Sequence, residues 1–278
     1  MENDNILNKL KYNINTFKAL YINLSENPVF FTHNSQSNIR NLLAEIDKKL
    51  LLQDLKTIII IINISFSNLI PYFTENNYKF HHTENNNLFL IKYIHEAPTK
   101  YPNYASHQVG VGAFIINESN KVLFVKEKIV QVNILKGKWK LPTGRIEKGE
   151  TISNATEREV FEETRLKVKF EGITFFRETY PALFDCTDLF FVCVCSCNDS
   201  DTRKINLDID DELMETKWFT KEEIIKEIKS FSDQNMLKYM LNIWPDKMGI
   251  YIMKGEEYKF LNRFKMLAYK PIIDNTKF

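Results

Sequence analysis

Apolar residues recur along this chain with two periods, and the changes from one to the other mark out its elements. Ser37 to Leu52 carries apolar residues at helical spacing, and residues 56 to 64 are an isoleucine run that predicts a buried strand. Phe66 to Thr74 predicts a further helix, and Tyr78 to His82 with Leu88 to Ile94 predicts a hairpin around Asn85, Asn86 and Asn87. These make a small α/β unit. Glu96 to Tyr104 holds Pro98 and Pro102 without periodicity and is expected to be a linker. Beyond it, Gly110 to Asn117 and Lys121 to Lys128 predict strands joined at Glu118-Ser119-Asn120, and Val168 to Glu178 and Asp188 to Cys197 predict two more. Lys221 to Ser230 predicts a helix capped by Thr220, and Asp233 to Ile243 predicts an amphipathic one. The expected boundaries are residues 1–100 for an N-terminal α/β domain, 105–231 for a second domain and 232–278 for a helical and aromatic C-terminal extension.

Between those strands, residues 139 to 166 follow a different logic. Pro142, Gly144 and Gly149 punctuate a loop, and Thr151 is a suitable N-cap for a helix running to about Thr164. On that helix Glu159, Glu162 and Glu163 stand at i, i+3 and i+4, so at about 100° per residue they share roughly one third of the circumference. Like charges at that spacing destabilise a helix by a few tenths of a kcal/mol per pair, which invites a cation. Mg²⁺ takes oxygen ligands from carboxylates and substrate phosphates, and a glycine-rich loop lets backbone approach such a ligand closely. The same glutamates would also suit a solvated acidic face.

Composition narrows the possibilities. The 278 residues suit two modest domains, and 44% hydrophobic with 26% charged residues describes a chain able to form ordinary cores. A net charge of +1 supplies no basic field, so neither DNA nor RNA is an expected partner. The isoleucine run, Thr57 to Ile62, is far short of the ~20 apolar residues of a spanning helix. The opening Met-Glu-Asn-Asp-Asn-Ile-Leu shows neither an arginine-rich amphipathic pattern nor a long apolar stretch, so no targeting signal is expected. Cys193, Cys195 and Cys197 alternate along one strand and Cys186 lies close before them; without ligand pairs converging from a turn they are expected to be buried free thiols, not zinc ligands. Such thiols suggest a reducing compartment, the cytoplasm or alternatively the mitochondrion. His81 and His82, adjacent on a strand, are expected to face opposite ways and to be structural, as is His107. Lys126, Lys128, Lys136, Lys138 and Lys140 crowd the approach to the loop, as either a solvated surface or an attractor for an anionic substrate.

The wider spacing resembles a known family. Gly144-x5-Glu150-x7-Arg158-Glu159-Val160-x-Glu162-Glu163-x-Arg165-Leu166 is similar to the Nudix box, G-x5-E-x7-R-E-U-x-E-E-x-G-U with U apolar. It departs only at Arg165, where the family has a glycine that takes a left-handed conformation at the helix end; arginine adopts this at a cost of about 1 kcal/mol or more. Asn77 to His82 and Ala105 to Phe114 resemble the two-domain Nudix hydrolases of plants and the animal proteins related to the fibroblast growth factor antisense product. Arg177 resembles the Phe-Arg element of that group, and Glu212 to Trp218 its later E-x5-W segment. The resemblance implies a Nudix α/β/α sandwich with a mixed sheet behind the small α/β domain. It implies a hydrolase cleaving a nucleoside diphosphate derivative with two or three Mg²⁺ or Mn²⁺ ions. Glu159, Glu162, Glu163 and the Gly144 carbonyl would be the ligands, Arg158 and Glu150 a structural pair, and Glu159 or Glu212 the general base. ADP-ribose or an NADH-like dinucleotide is the substrate it suggests, with Pro181 near a position where ADP-ribose-cleaving members carry proline. The competing expectation is a Nudix-fold accessory or structural subunit, joined to an assembly through the C-terminal extension; Arg165 and the unmatched tail point that way.

Overall fold

The computed structural model describes residues 9–15, 18–31, 36–52, 55–93, 104–128, 136–180, 182–198, 212–244, 253–260 and 264–271. It divides into two compact units, Met1–Ala105 and Ser106–Phe278. Most of the expected linker lies outside the described residues.

The first unit is a mixed sheet with one long helix. Its strands are β1 (Asn13–Ile14), β2 (Ala19–Asn23), β3 (Thr57–Asn63), β4 (Lys79–Glu84) and β5 (Asn87–Tyr93), in the order β1-β2-β3-β5-β4. Helix α1 (Gln36–Leu52) is the crossover between the parallel strands β2 and β3. Its Ile39, Leu42, Leu43 and Ile46 repeat at i, i+3, i+4 and i+7 and pack on Leu20, Ile22, Ile58 and Ile60. The isoleucine run becomes the central strand, where β-branched side chains fit a pleated surface. The helix expected over Phe66 to Thr74 is a 3-10 segment, Ile64–Leu69, kinked at Phe66, followed by α2 (Ile70–Thr74), with Pro71 in its first turn. His81 and His82 do not face opposite ways. A bulge between Phe80 and His82 shifts the register, bringing the two Nδ1 atoms to 2.7 Å while His82 stacks 4.1 Å from Phe89.

The second unit is a three-layer α/β/α sandwich. Its strands are β6 (His107–Asn117), β7 (Val122–Glu127), β8 (Thr143–Arg145), β9 (Lys169–Thr179), β10 (Thr187–Cys197), β11 (Leu213–Phe219), β12 (Met253–Phe260) and β13 (Phe264–Pro271). They form one mixed sheet, β11-β7-β6-β10-β9-β12-β13, with β8 added to β6; β6 and β10 run parallel. Side-chain alternation separates the two cores. Ala113, Ile115, Cys195 and Cys197 pack with Val160 and Leu166 of the segment containing α3 (Ile152–Thr164), whereas Phe114, Val192 and Val194 face α4 (Lys221–Lys226) and α5 (Gln234–Ile243). The cysteines are free thiols, with Cys193, Cys195 and Cys197 buried and Cys186 half-buried. Among the described residues no helix is long and apolar enough to cross a membrane.

The C-terminal segment differs from its expected form. Met236, Leu237, Met240, Leu241, Ile243 and Trp244 belong to the sandwich core, so the residues after 232 start inside the fold. The tail beyond supplies a hairpin, β12 and β13, attached to β9 at Met253–Ile173. Charged pairs such as Glu256-Glu257 interrupt the period-two signal that would have marked these strands.

Candidate functional site

The site grows from a corner where β8, the following loop and α3 meet. β8 pairs with β6 through Val111–Gly144, which fixes the loop's origin on a central strand. Thr151 is extended, and its hydroxyl accepts from the Asn154 N–H at 3.1 Å to start α3 one residue later. Val160 faces the core, and the neighbouring positions 158, 159 and 162 are left for the loop side.

Arg158 ties helix to loop. Its Nε and one terminal nitrogen donate to the two Glu150 oxygens at 2.8 and 2.9 Å, the arrangement in which guanidinium matches carboxylate best. It also donates to the Arg145 carbonyl at 2.9 Å and to Glu162 at 2.9 Å, and its Nη1 lies 2.9 Å from Glu159. Glu159 accepts from the Arg145 N–H at 3.1 Å, and Glu150 from the Glu147 N–H at 3.1 Å. The like-charge cost that the sequence suggested is therefore largely relieved from inside: one guanidinium serves Glu150, Glu159 and Glu162. Arg158 holds the Glu150 carboxyl below its ordinary range, and Glu150, with smaller help from Glu159 and Glu162, raises the arginine.

Glu163 is the exception. It is 4% exposed, and burial pushes its carboxyl up to about 8 despite the opposing field of Lys140. Its Oε1 lies 3.8 Å from Lys140 Nζ, while its Oε2 is buried with no hydrogen-bond partner. Burial likewise raises Glu159, which presses on Gly144 so closely that a Cβ there would lie 1.8 Å from its carboxyl carbon.

The structure thus links Glu150, Arg158, Glu159 and Glu162 in one network beside Gly144 and sets Glu163 against Lys140. Glu212 stands apart: its side chain is exposed just before β11, its carbonyl accepts from the Lys128 N–H at 2.8 Å, and no contact among the described residues joins its carboxylate to the cluster. Glu127 at the end of β7, which no motif singled out, is instead ion-paired with Lys140. The approach lysines divide as well, since Lys126 pairs with Glu215 at 2.7 Å and lies 4.1 Å from the Trp139 ring. Arg165 takes the left-handed conformation of the family's glycine, at φ 60° and ψ 9°, with its N–H bonded to the Phe161 carbonyl and its guanidinium 5.5 Å from the Phe161 ring.

Among the described residues no three carboxylates, histidines or cysteines already converge on one point. Two features still suit a divalent cation, namely the unpartnered buried oxygen of Glu163 and the side-chain-free surface at Gly144 under Glu159. Glu162, half exposed at 52%, would complete the set by leaving Arg158.

A family model for the NUDIX domain matches residues 106–240, and one for a Nudix hydrolase domain matches residues 10–94. The chain is 37% identical over 167 residues to Nudix hydrolase 2 of Arabidopsis thaliana, a span covering 59% of this chain and 57% of that protein. It is 39% identical over 117 residues to nucleoside diphosphate-linked moiety X motif 6 of Homo sapiens, covering 41% of this chain and 36% of that one. Both figures mean that the chain spans less than two thirds of those relatives. A solved NUDIX hydrolase from Nitrosomonas europaea aligns at 24% identity and a TM-score of 0.39, covering 51% of this chain and 90% of its own.

Proposed function

We propose that the chain, which belongs to the Nudix family, hydrolyses the diphosphate linkage of a nucleoside diphosphate derivative with the help of Mg²⁺ or Mn²⁺. The observation that carries this reading is the buried, unpartnered Oε2 of Glu163, on the helix whose Glu159 rests on Gly144. A buried carboxylate oxygen without a donor is costly, and a hard cation is the partner that an acidic cluster beside a loop would accept.

Glu159, Glu162 and Glu163, with the Gly144 carbonyl nearby, would hold the metal. When bound, such ions neutralise phosphate charge and lower the pKa of an attached water to near neutrality. The chain's own residues supply order. Arg158 and Glu150 lock the loop onto α3, so the Gly144 backbone and the glutamates keep a fixed spacing. Gly144 leaves room for Glu159, the base candidate nearest the loop, whose carboxyl burial raises above its ordinary range. Glu212, the other base candidate, would have to reach the site from its exposed position before β11.

The human relative's name refers to a nucleoside diphosphate linked to a second moiety. ADP-ribose and NADH-like dinucleotides are the substrates we favour; Pro181, the residue that suggested ADP-ribose, lies outside the described residues. The four free thiols suit action in the cytoplasm. The test is incubation of the purified chain with ADP-ribose, NADH and related dinucleotides, with and without Mg²⁺, while released nucleoside monophosphate is measured. One observation favours a second reading, that of a non-catalytic subunit: Arg158 already bonds or pairs with Glu150, Glu159 and Glu162 without a metal. A chain that releases no mononucleotide from any of these dinucleotides would support it.

A further inference from the structure

Lys140 occupies an unusual place in this site. Its backbone exchanges two hydrogen bonds with Val125, each 2.9 Å, which fixes it against β7. Val125 and Glu127 lie two residues apart, on the same face of that strand. The Lys140 ammonium is accordingly held by groups from three directions: it pairs with Glu127, donates to Thr143 Oγ1 at 3.0 Å, and stands 3.8 Å from Glu163 Oε1 on α3. Its side chain is only 20% exposed and that of Glu163 5%, so these charges act on one another through little water. The ammonium stands between two carboxyl groups, and the second Glu163 oxygen remains without a partner.

From this geometry we infer that Lys140 is a built-in counter-ion for Glu163, one that a divalent cation displaces and that Glu127 then retains. The inference rests on the metal-dependent reading above. The unequal contacts supply the direction of the exchange. The ammonium is closer to Glu127 than to Glu163, so it can give up Glu163 by a small rotation of its flexible stem without losing its main partner. Without Lys140, Glu163 would keep only the backbone hydrogen bond of Thr143 against its burial; without Glu127, the ammonium would settle on Glu163 and compete with the metal. Lys140 is thus a positioning residue that sets how strongly the empty site attracts a cation.

The two neighbours of the ammonium should therefore change metal affinity in opposite directions. Mn²⁺ binding is measured by electron paramagnetic resonance on the whole chain, for wild type, Lys140→Met, Lys140→Arg and Glu127→Gln. Removing the competing charge in Lys140→Met should tighten Mn²⁺ about tenfold or more, Lys140→Arg should stay near wild type, and Glu127→Gln should weaken binding about threefold or more. Lys140→Met should also lower the melting temperature measured in chelator, a loss that added Mn²⁺ reverses. Equal affinities, or shifts of Lys140→Met and Glu127→Gln in the same direction, would overturn the counter-ion role while leaving metal dependence standing. If Lys140→Met does not fold, the sign of the Glu127→Gln shift decides alone. A wild-type chain that binds no Mn²⁺ would overturn the metal reading, and this inference with it.

Discussion

Gly144 and Glu159 occupy adjoining space, with the Glu159 carboxyl lying where a side chain at residue 144 would begin. A Cβ on residue 144 would fall within 2.2 Å of all three carboxyl atoms of Glu159. Gly144→Ala should push that carboxylate off the loop at little cost in stability, because the end of a flexible side chain can move aside, while reducing Mg²⁺-dependent turnover about a hundredfold through misplacement. Chemical denaturation and steady-state assays on the same preparation check both; unchanged turnover would remove Glu159 from the catalytic set.

Arg165 carries backbone strain but does not touch the carboxylates. Its φ of 60° is the conformation glycine adopts at no cost, while its guanidinium contributes a contact with Phe161. Arg165→Gly should change stability by no more than about 1 kcal/mol, because the two effects oppose each other. Mg²⁺ affinity by calorimetry should be unaltered, and a loss would show that the helix exit belongs to the site.

The metal-free protein should lose stability with rising pH because of Glu163. Its folded value near 8 stands above the ordinary 4.5, so folding favours the protonated form. The contribution is fully present below about 4.5 and disappears as pH rises through about 8. Melting temperatures in chelator from about pH 5 to about pH 9 should fall for wild type and fall less for Glu163→Gln, which is neutral throughout. Parallel curves would place the charge of Glu163 elsewhere.

Arg158 joins helix to loop by geometry as much as by charge. Lysine would keep the charge but cannot meet both Glu150 oxygens in one plane. Arg158→Lys should therefore cost about 1–2 kcal/mol, reduced from the fully buried figure because the side chain is partly exposed. Urea denaturation at neutral pH measures this directly.

Much of this site could be read from the order of residues because it is local. The cap at Thr151, the helix to Thr164, the pairing of Arg158 with Glu150 and the left-handed turn at Arg165 all depend on neighbours within one loop and one helix. What escaped was set by distant strands. Glu127 joins the site because β7 runs beside Lys140, whereas Glu212, bonded through its carbonyl to the neighbouring Lys128, has an exposed side chain. Helical spacing likewise shows that Glu159 and Glu162 are close but not that Arg158 reaches both. At His81 and His82 a bulge cancelled the alternation, and in the tail adjacent charges hid two strands.

Glu163 is the residue on which the proposed metal-dependent hydrolysis depends most. The most direct measurement is the rate of nucleoside monophosphate release from ADP-ribose and NADH under saturating Mg²⁺ by wild type and by Glu163→Gln, a change that keeps size but removes the anionic ligand. Turnover should fall by at least about a hundredfold, near 3 kcal/mol of transition-state stabilisation, while the metal-free fold is as stable as wild type or slightly more so. Equal rates in the two proteins would contradict the account.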